Sequence, residues 1–185
     1  MKLPGCCIAA IMPSLCIAGC VYLAPIDEYE PEDKLPYIDL LSGVNPSMGF
    51  VNINLGLGGN QEFVLSIYGD ENSEQTLYHR AVIDMQPAGE TSRPVYAIGP
   101  QTIQPDARDK ISYNFPACQF AQNYPGSIAE GKTINFYLLI SDAPFLHQSQ
   151  SFSATDFSQP FETVEKNRAV WVEWTLQFQG VCPPQ

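Results

Sequence analysis

The sequence predicts an all-β domain, an antiparallel sandwich of two sheets with about 7–8 strands. Three observations carry this reading. Apolar and polar residues alternate with period two in several segments of β-branched and aromatic residues, the pattern of half-buried strands. Turn-forming clusters rich in Gly, Pro, Asn and Asp separate these segments. No long segment repeats with the 3.6 period of a helix. The chain has 185 residues, 45% hydrophobic and only 16% charged, which suits one domain with its own core and excludes a disordered chain. Its net charge of −11 opposes nucleic-acid binding, which needs clustered Lys and Arg.

The first element is an address. Lys2 is the only charge before Asp27, and the mostly apolar residues 6–17 follow it, as in an export signal. The run falls short of the about 20 apolar residues of a spanning helix, and Pro4 and Pro13 disfavour a helix there. It ends in Ile17-Ala18-Gly19-Cys20. This tetrapeptide resembles the lipobox of bacterial lipoproteins: an aliphatic residue, two small residues and a cysteine. The resemblance implies that residues 1–19 are removed, that the Cys20 thiol carries a diacylglyceryl group and that its new amine is acylated, for instance with palmitate. An ordinary signal peptide or an apolar N-terminal helix are the other readings. Two or three acyl chains hold a protein on a membrane stably where one does so marginally. The mature chain would be residues 20–185, with a charge of −12 once Lys2 is lost. Val21 stands where an Asp would retain an enteric lipoprotein in the inner membrane, so the resemblance favours the outer membrane.

Residues 20–36 are the second element. Five of the seven positions 27–33 are acidic and prolines flank or interrupt them. Such a stretch buries no core and repels itself, so it reads as an extended tether. A basic partner or cations are the alternative use of its charge.

Residues 37–185 form the predicted domain. Residues 49–57 (GFVNINLGL) place Val51, Ile53, Leu55 and Leu57 on one face, and residues 62–68 align Phe63, Leu65 and Ile67. Residues 77–85 (LYHRAVIDM) form a third strand. Residues 133–141 align Ile134, Phe136, Leu138 and Ile140, and residues 168–178 align Val170, Val172, Trp174, Leu176 and Phe178. Weaker strands are expected near residues 37–41, 95–98 and 111–115. Gly58-Gly59-Asn60, Gly69-Asp70-Glu71-Asn72, Gly99-Pro100, Pro125-Gly126 and Ala143-Pro144 read as turns. Residues 86–132 hold six prolines and read as long connections.

Two stretches, FVLSIYGDENSEQTLYHRAVID and TINFYLLISDAPF, are similar to the hairpin and the late strand of immunoglobulin-like repeats of the cadherin and PKD kind. With the last Trp-containing strand, the chain resembles proteobacterial lipoproteins that carry one such domain. This implies an immunoglobulin-like sandwich. Cys118 departs from that pattern, since it lies in a Pro- and aromatic-rich loop and not in an early core strand.

Six cysteines are present. Cys6, Cys7 and Cys16 leave with the signal and Cys20 is the lipid site. Cys118 and Cys182 remain, the number for one disulfide in an oxidising compartment. Two free thiols or a metal pair are the alternatives.

Candidate chemistry is sparse. Nucleophilic catalysis needs a base near a nucleophile, and the histidines are His79, in a strand, and His147, in a polar loop. No Gly-x-Ser-x-Gly or His-Glu-x-x-His motif occurs, so no catalytic residue, resident metal or cofactor is expected beyond the lipid on Cys20. Asp70, Asn72 and Glu74 offer oxygens to calcium at alternate positions, or simply form a hairpin turn. Trp171 and Trp174 lie three apart and face opposite sides of their strand. The loop of residues 142–161 is uncharged for its length and rich in Phe, and long loops are often functional. Phe145, Phe152, Phe157 and Trp171 are therefore candidate contacts for a partner, unless the Phe residues cap an open end of the sandwich. The function expected is a lipid-anchored envelope protein serving in structure or protein binding, not an enzyme. A carbohydrate-binding sandwich or an envelope hydrolase is the alternative. Partner identity and copy number stay open.

Overall fold

A computed structural model describes residues 34–66, 68–70, 74–85, 95–104, 110–124, 126–148, 151–152, 158–166 and 168–184. Cys20, the signal segment and the tether up to residue 33 lie outside them, as do Asn72 and Phe157. No helix among the described residues is long and apolar enough to cross a membrane.

The architecture is an all-β sandwich. Its strands are β1 (Tyr37–Ile38), β2 (Val44–Asn45), β3 (Gly49–Asn54), β4 (Asn60–Leu65), β5 (Tyr68–Gly69), β6 (Leu77–Asp84), β7 (Val95–Ile103), β8 (Ile111–Pro116), β9 (Thr133–Ser141), β10 (Ser151–Phe152) and β11 (Ala169–Gln179). One short helix, α1 (Ala117–Asn123), follows β8. A six-stranded sheet has the order β10-β7-β6-β9-β11-β3 and a three-stranded sheet the order β2-β4-β8. All pairings are antiparallel except β11 with β3, where Trp174 lies opposite Gly49 and Gln179 opposite Asn54 in parallel register. The small pair β1-β5 completes the described strands.

Alternation decides which residues meet between the sheets. Val172, Trp174, Leu176 and Phe178 of β11 join Phe136 and Ile134 of β9, Phe63 and Leu65 of β4 and Phe115 of β8 in one buried cluster. Phe63 and Phe136 approach to 4.4 Å between ring centres and Trp174 closes on Phe63 at 4.9 Å. The indole nitrogen of Trp174 donates to the Pro46 carbonyl at 2.8 Å, which satisfies its polar end inside the core. Cys118 in α1 and Cys182 after β11 form a disulfide with their Cα atoms 5.6 Å apart. It ties the helix that follows the small sheet to the end of the large one.

Three local readings are corrected. Residues 55–57 are a 3-10 turn and not the end of a strand, so Leu57 is 85% exposed instead of sharing the face of Val51 and Ile53. Gly58 at φ +91 closes that turn; a left-handed backbone favours glycine there. Cys118 sits in the first turn of α1, not in a loop. Gly99-Pro100 lies inside β7: two residues there face the single Arg80 of β6, with Gly99 at φ +96. That is a β-bulge with glycine in the left-handed region, a device that re-aims the neighbouring side chain.

One polar bridge crosses the core. The Tyr113 hydroxyl on β8 and His79 Nδ1 on β6 lie 2.9 Å apart, joining the two sheets. Burial holds His79 well below the usual imidazole range, at about 4, and pushes Tyr113 up. Folded His79 therefore binds fewer protons than the unfolded chain between pH 6.5 and 4. Its contribution to stability is complete above 6.5 and falls by on the order of 3 kcal/mol as the pH drops to 4. Urea midpoints at pH 7 and pH 4.5 should differ for the native chain and differ less for His79→Gln, which keeps a polar side chain and does not titrate. Equal pH dependence of the two would assign the acid sensitivity elsewhere.

Candidate functional site

The six-stranded sheet buries its outer face as well, but only in part. The described residues of the excursion 142–168, between β9 and β11, fold back over the outer face of β6, β7 and β9. There Phe145 packs with Val82, Val95, Ala97, Tyr137 and Leu139 in a second, smaller core, with Phe161 against it. The excursion is closed on itself by backbone bonds: Leu146 N–H donates to the Glu162 carbonyl at 2.9 Å and Val164 N–H to the Pro144 carbonyl at 2.8 Å.

Two arginines hold this excursion down. Arg80, fully buried opposite the bulge, donates to the carbonyls of Pro160 (3.0 Å) and His147 and lies 4.6 Å from the centre of the Phe145 ring. Burial lowers its guanidinium to about 10, so it stays cationic at neutral pH. A cation over an aromatic face in a desolvated site is attracted by the ring quadrupole. At the base, Arg168 forks onto both oxygens of the buried Asp142 carboxylate, with Nε to Oδ1 at 2.8 Å. This bidentate pair fixes both ends of the excursion at one point.

Where the excursion meets the strand that follows it, a cleft of about 700 Å³ opens. Its apolar walls are Leu35, Leu146, Phe161, Val164, Ala169 and Trp171, and Ser158, Glu162, Thr163 and Lys166 edge it. Leu35, Leu146, Val164 and Trp171 are each about half exposed or more. The Phe161 ring meets Trp171 edge-on at 5.5 Å, and Tyr137 at 5.4 Å on its other side. Burial pushes Tyr137 up to about 12, so it is a neutral phenol there.

Glu162 accepts from two neighbours: Ser158 Oγ at 2.9 Å on one oxygen and His147 Nε2 at 3.0 Å on the other. This is the order hydroxyl, carboxylate, imidazole. A nucleophile activated by histidine needs the imidazole in the middle. The triple therefore serves to lock the loop at the cleft edge.

The candidate contacts separate on this geometry. Trp171 is 51% exposed and walls the cleft, while Trp174 on the opposite face is core. Phe145 is corrected: at 1% exposure it belongs to the second core and offers nothing to a partner. It does not cap an end of the sandwich either, because the loop covers a sheet face. Phe152 lies in β10 at the sheet edge, and Phe157 is outside the described residues. Of the calcium candidates, Asp70 is buried after β5 and Glu74 is exposed before β6. Among the described residues no group of three or more His, Cys, Asp or Glu gathers as a metal site.

Arg80, Asp142 and Arg168 were missed by the sequence reading. A signal existed for the first: His79-Arg80 breaks the apolar run of β6 with two polar residues in succession, which one buried face does not require. Compared with known proteins, the chain matches no family model, no curated protein and no solved structure.

Proposed function

We propose that this is a lipid-anchored cell-envelope protein whose immunoglobulin-like domain holds a protein partner in the cleft beside Trp171. The observation that carries the reading is the cleft itself: a mostly apolar concavity built on a loop whose ends are clamped. Exposed aromatic and aliphatic side chains in a cleft, rimmed by polar groups, are the makings of a recognition site.

Strand order supports the immunoglobulin-like assignment. In variable-type domains the sheet GFC gains C′ and C″, and A, B and E lie in the other sheet. With β4, β6, β7, β8, β9 and β11 taken as B, C, C′, E, F and G, the large sheet reads C′-C-F-G and the small one ends in B-E. Phe63 and Phe136 then make the B-to-F contact that a disulfide makes in antibody domains. Residues 142–168 become the F–G loop, a loop that carries recognition in variable domains.

The anchor reading rests on Ile17-Ala18-Gly19-Cys20 and is supported by the disulfide, which suits an oxidising compartment. Leu35 lines the cleft, so the 15 residues from Cys20 to Lys34 keep it within roughly 50 Å of the bilayer. Photo-crosslinking side chains at Leu146 and Val164, in the full chain in its native membranes, should give one discrete adduct. The same probe at Lys110 should not give it, and Cys20→Ala should lose both membrane attachment and the adduct. Identical background from all positions would refute the cleft as a docking site. A Cys20→Ala chain that stays on the membrane and takes up no less labelled palmitate would refute the anchor.

A further inference from the structure

The excursion covers only part of the large sheet. Beyond Trp171 the outward residues of β9, β11 and β3, apart from the buried Tyr137, are half-buried or exposed among the described residues, and their composition is unusual for so acidic a chain. Along it lie Asn52, Asn135, Thr175, Gln177 and Gln179. Among the described outward residues of these three strands the one charge is Glu173, and its carboxylate accepts from the Tyr137 hydroxyl at 3.3 Å. A protein of net charge −11 thus presents a strip that is nearly neutral.

The amides on this strip are aligned with one another. Thr175 Oγ1 donates to Asn135 Oδ1 and Gln179 Nε2 to Asn52 Oδ1, each at 3.3 Å, and Asn135 Nδ2 donates to Tyr137 at 3.3 Å. Each amide keeps a further donor or acceptor for an outside group. Two exposed aromatic rings border the ladder on its Trp171 side. Trp171 stands at one end, and Phe50, 76% exposed, lies opposite Thr175. They are about 13 Å apart along the strand direction. The strip from Trp171 to Gln179 runs about 26 Å.

We propose that this face binds an extended, uncharged oligosaccharide. Each sugar hydroxyl both donates and accepts, as each amide does, and the C–H faces of a sugar ring pack on an aromatic plane. Charge matching selects the ligand class: a polycation would find Glu173, engaged by Tyr137, and beside it only the buried Asp84 of β6, and a polyanion would find no cation among the described residues of the strip. The amide ladder is held in place before binding, which lowers the ordering cost of a polar ligand. The site is separate from the partner cleft except at Trp171, and it does not depend on the anchor.

The test is affinity electrophoresis of the full chain in non-ionic detergent through gels containing chitosan-free soluble chitin oligomers, β-glucan, xylan or mannan, with polygalacturonate as the acidic control. Retardation by at least one neutral glycan is expected, with little by polygalacturonate. The double variant Asn52→Ala/Gln177→Ala and the single variant Trp171→Ala should each weaken it tenfold or more, with unchanged far-ultraviolet circular dichroism and sedimentation. No retardation by any neutral glycan at millimolar sugar would overturn the proposal, as would retardation that both variants leave intact. A concentration-dependent dimer of the native chain that the double variant abolishes, without glycan binding, would assign the face to a second copy instead. Photo-adducts at Leu146 and Val164 report the cleft alone, so the two sites can fail independently.

Discussion

Replacing Cys118 and Cys182 together by Ala is expected to lower the free energy of unfolding by about 4 kcal/mol. The bond closes a separation of 64 residues, and the entropy it removes from the unfolded chain grows with the length of that loop. Its position adds to the effect. Ala117 beside it is fully buried and the Phe120 ring of the same helix stacks on Phe115 at 5.4 Å. The bond therefore keeps α1 seated on the core as well as holding the segment after β11. A domain of this size has roughly 5–15 kcal/mol in all, so the double variant should unfold at much lower denaturant, or fail to accumulate at 37 °C. Guanidinium unfolding of both chains, oxidised and reduced, measures this. The native chain with reductant should match the variant. A loss below about 1 kcal/mol would show that the unfolded chain is not loosened by opening the loop, and would remove the stability argument for an oxidising compartment.

The sandwich was legible because most of its long strands have one face in the core and one in water. That holds for β3, β4, β8 and β11, where alternate residues are buried along much of the strand. It fails at β6, buried at seven of eight positions, because the excursion covers its second face. Period two cannot report a strand buried on both sides. It weakens at β7 too, where the bulge at Gly99-Pro100 shifts the phase and a dipeptide that signals a turn sits mid-strand. The site was legible in one residue. Trp171 and Trp174 are an odd number apart, so one had to face out, and Trp171 does. Phe145 could not be placed in this way. Its burial depends on where a loop of more than twenty residues lands, which is set by Arg80 and by the Arg168–Asp142 fork, contacts 26 to 80 residues apart in sequence. The resemblance of Ile17-Ala18-Gly19-Cys20 to a lipobox, by contrast, is read from a local motif that lies outside the described residues.

Arg80→Met is expected to cost about 4 kcal/mol and, more tellingly, to release the excursion while the sandwich stands. The methionine would fill much of the volume but donate nothing. The carbonyls of Pro160 and His147 would then lose a charged donor in a place that water does not reach freely. Hydrogen bonds to a charged group are worth about 1.5–3 kcal/mol each, and a buried acceptor left unmade adds its own desolvation cost. Loss of the cation over the Phe145 ring removes roughly another kcal/mol. Arg80→Lys should recover only part of the loss, since an ammonium on a flexible stem cannot fork onto two carbonyls from one fixed plane. Because the damage is confined to the outer face, limited proteolysis under native conditions should cut the variant within residues 142–168 while the remainder resists. The cleft should open with it: Leu146 and Phe161, which wall it, hang on the two segments that Arg80 ties together. Cross-linking at Val164 should then fall even though the sheet signal in circular dichroism persists. A variant as stable as the native chain, with an uncut loop, would show that the Arg168–Asp142 fork and the small core under Phe145 hold the excursion without Arg80.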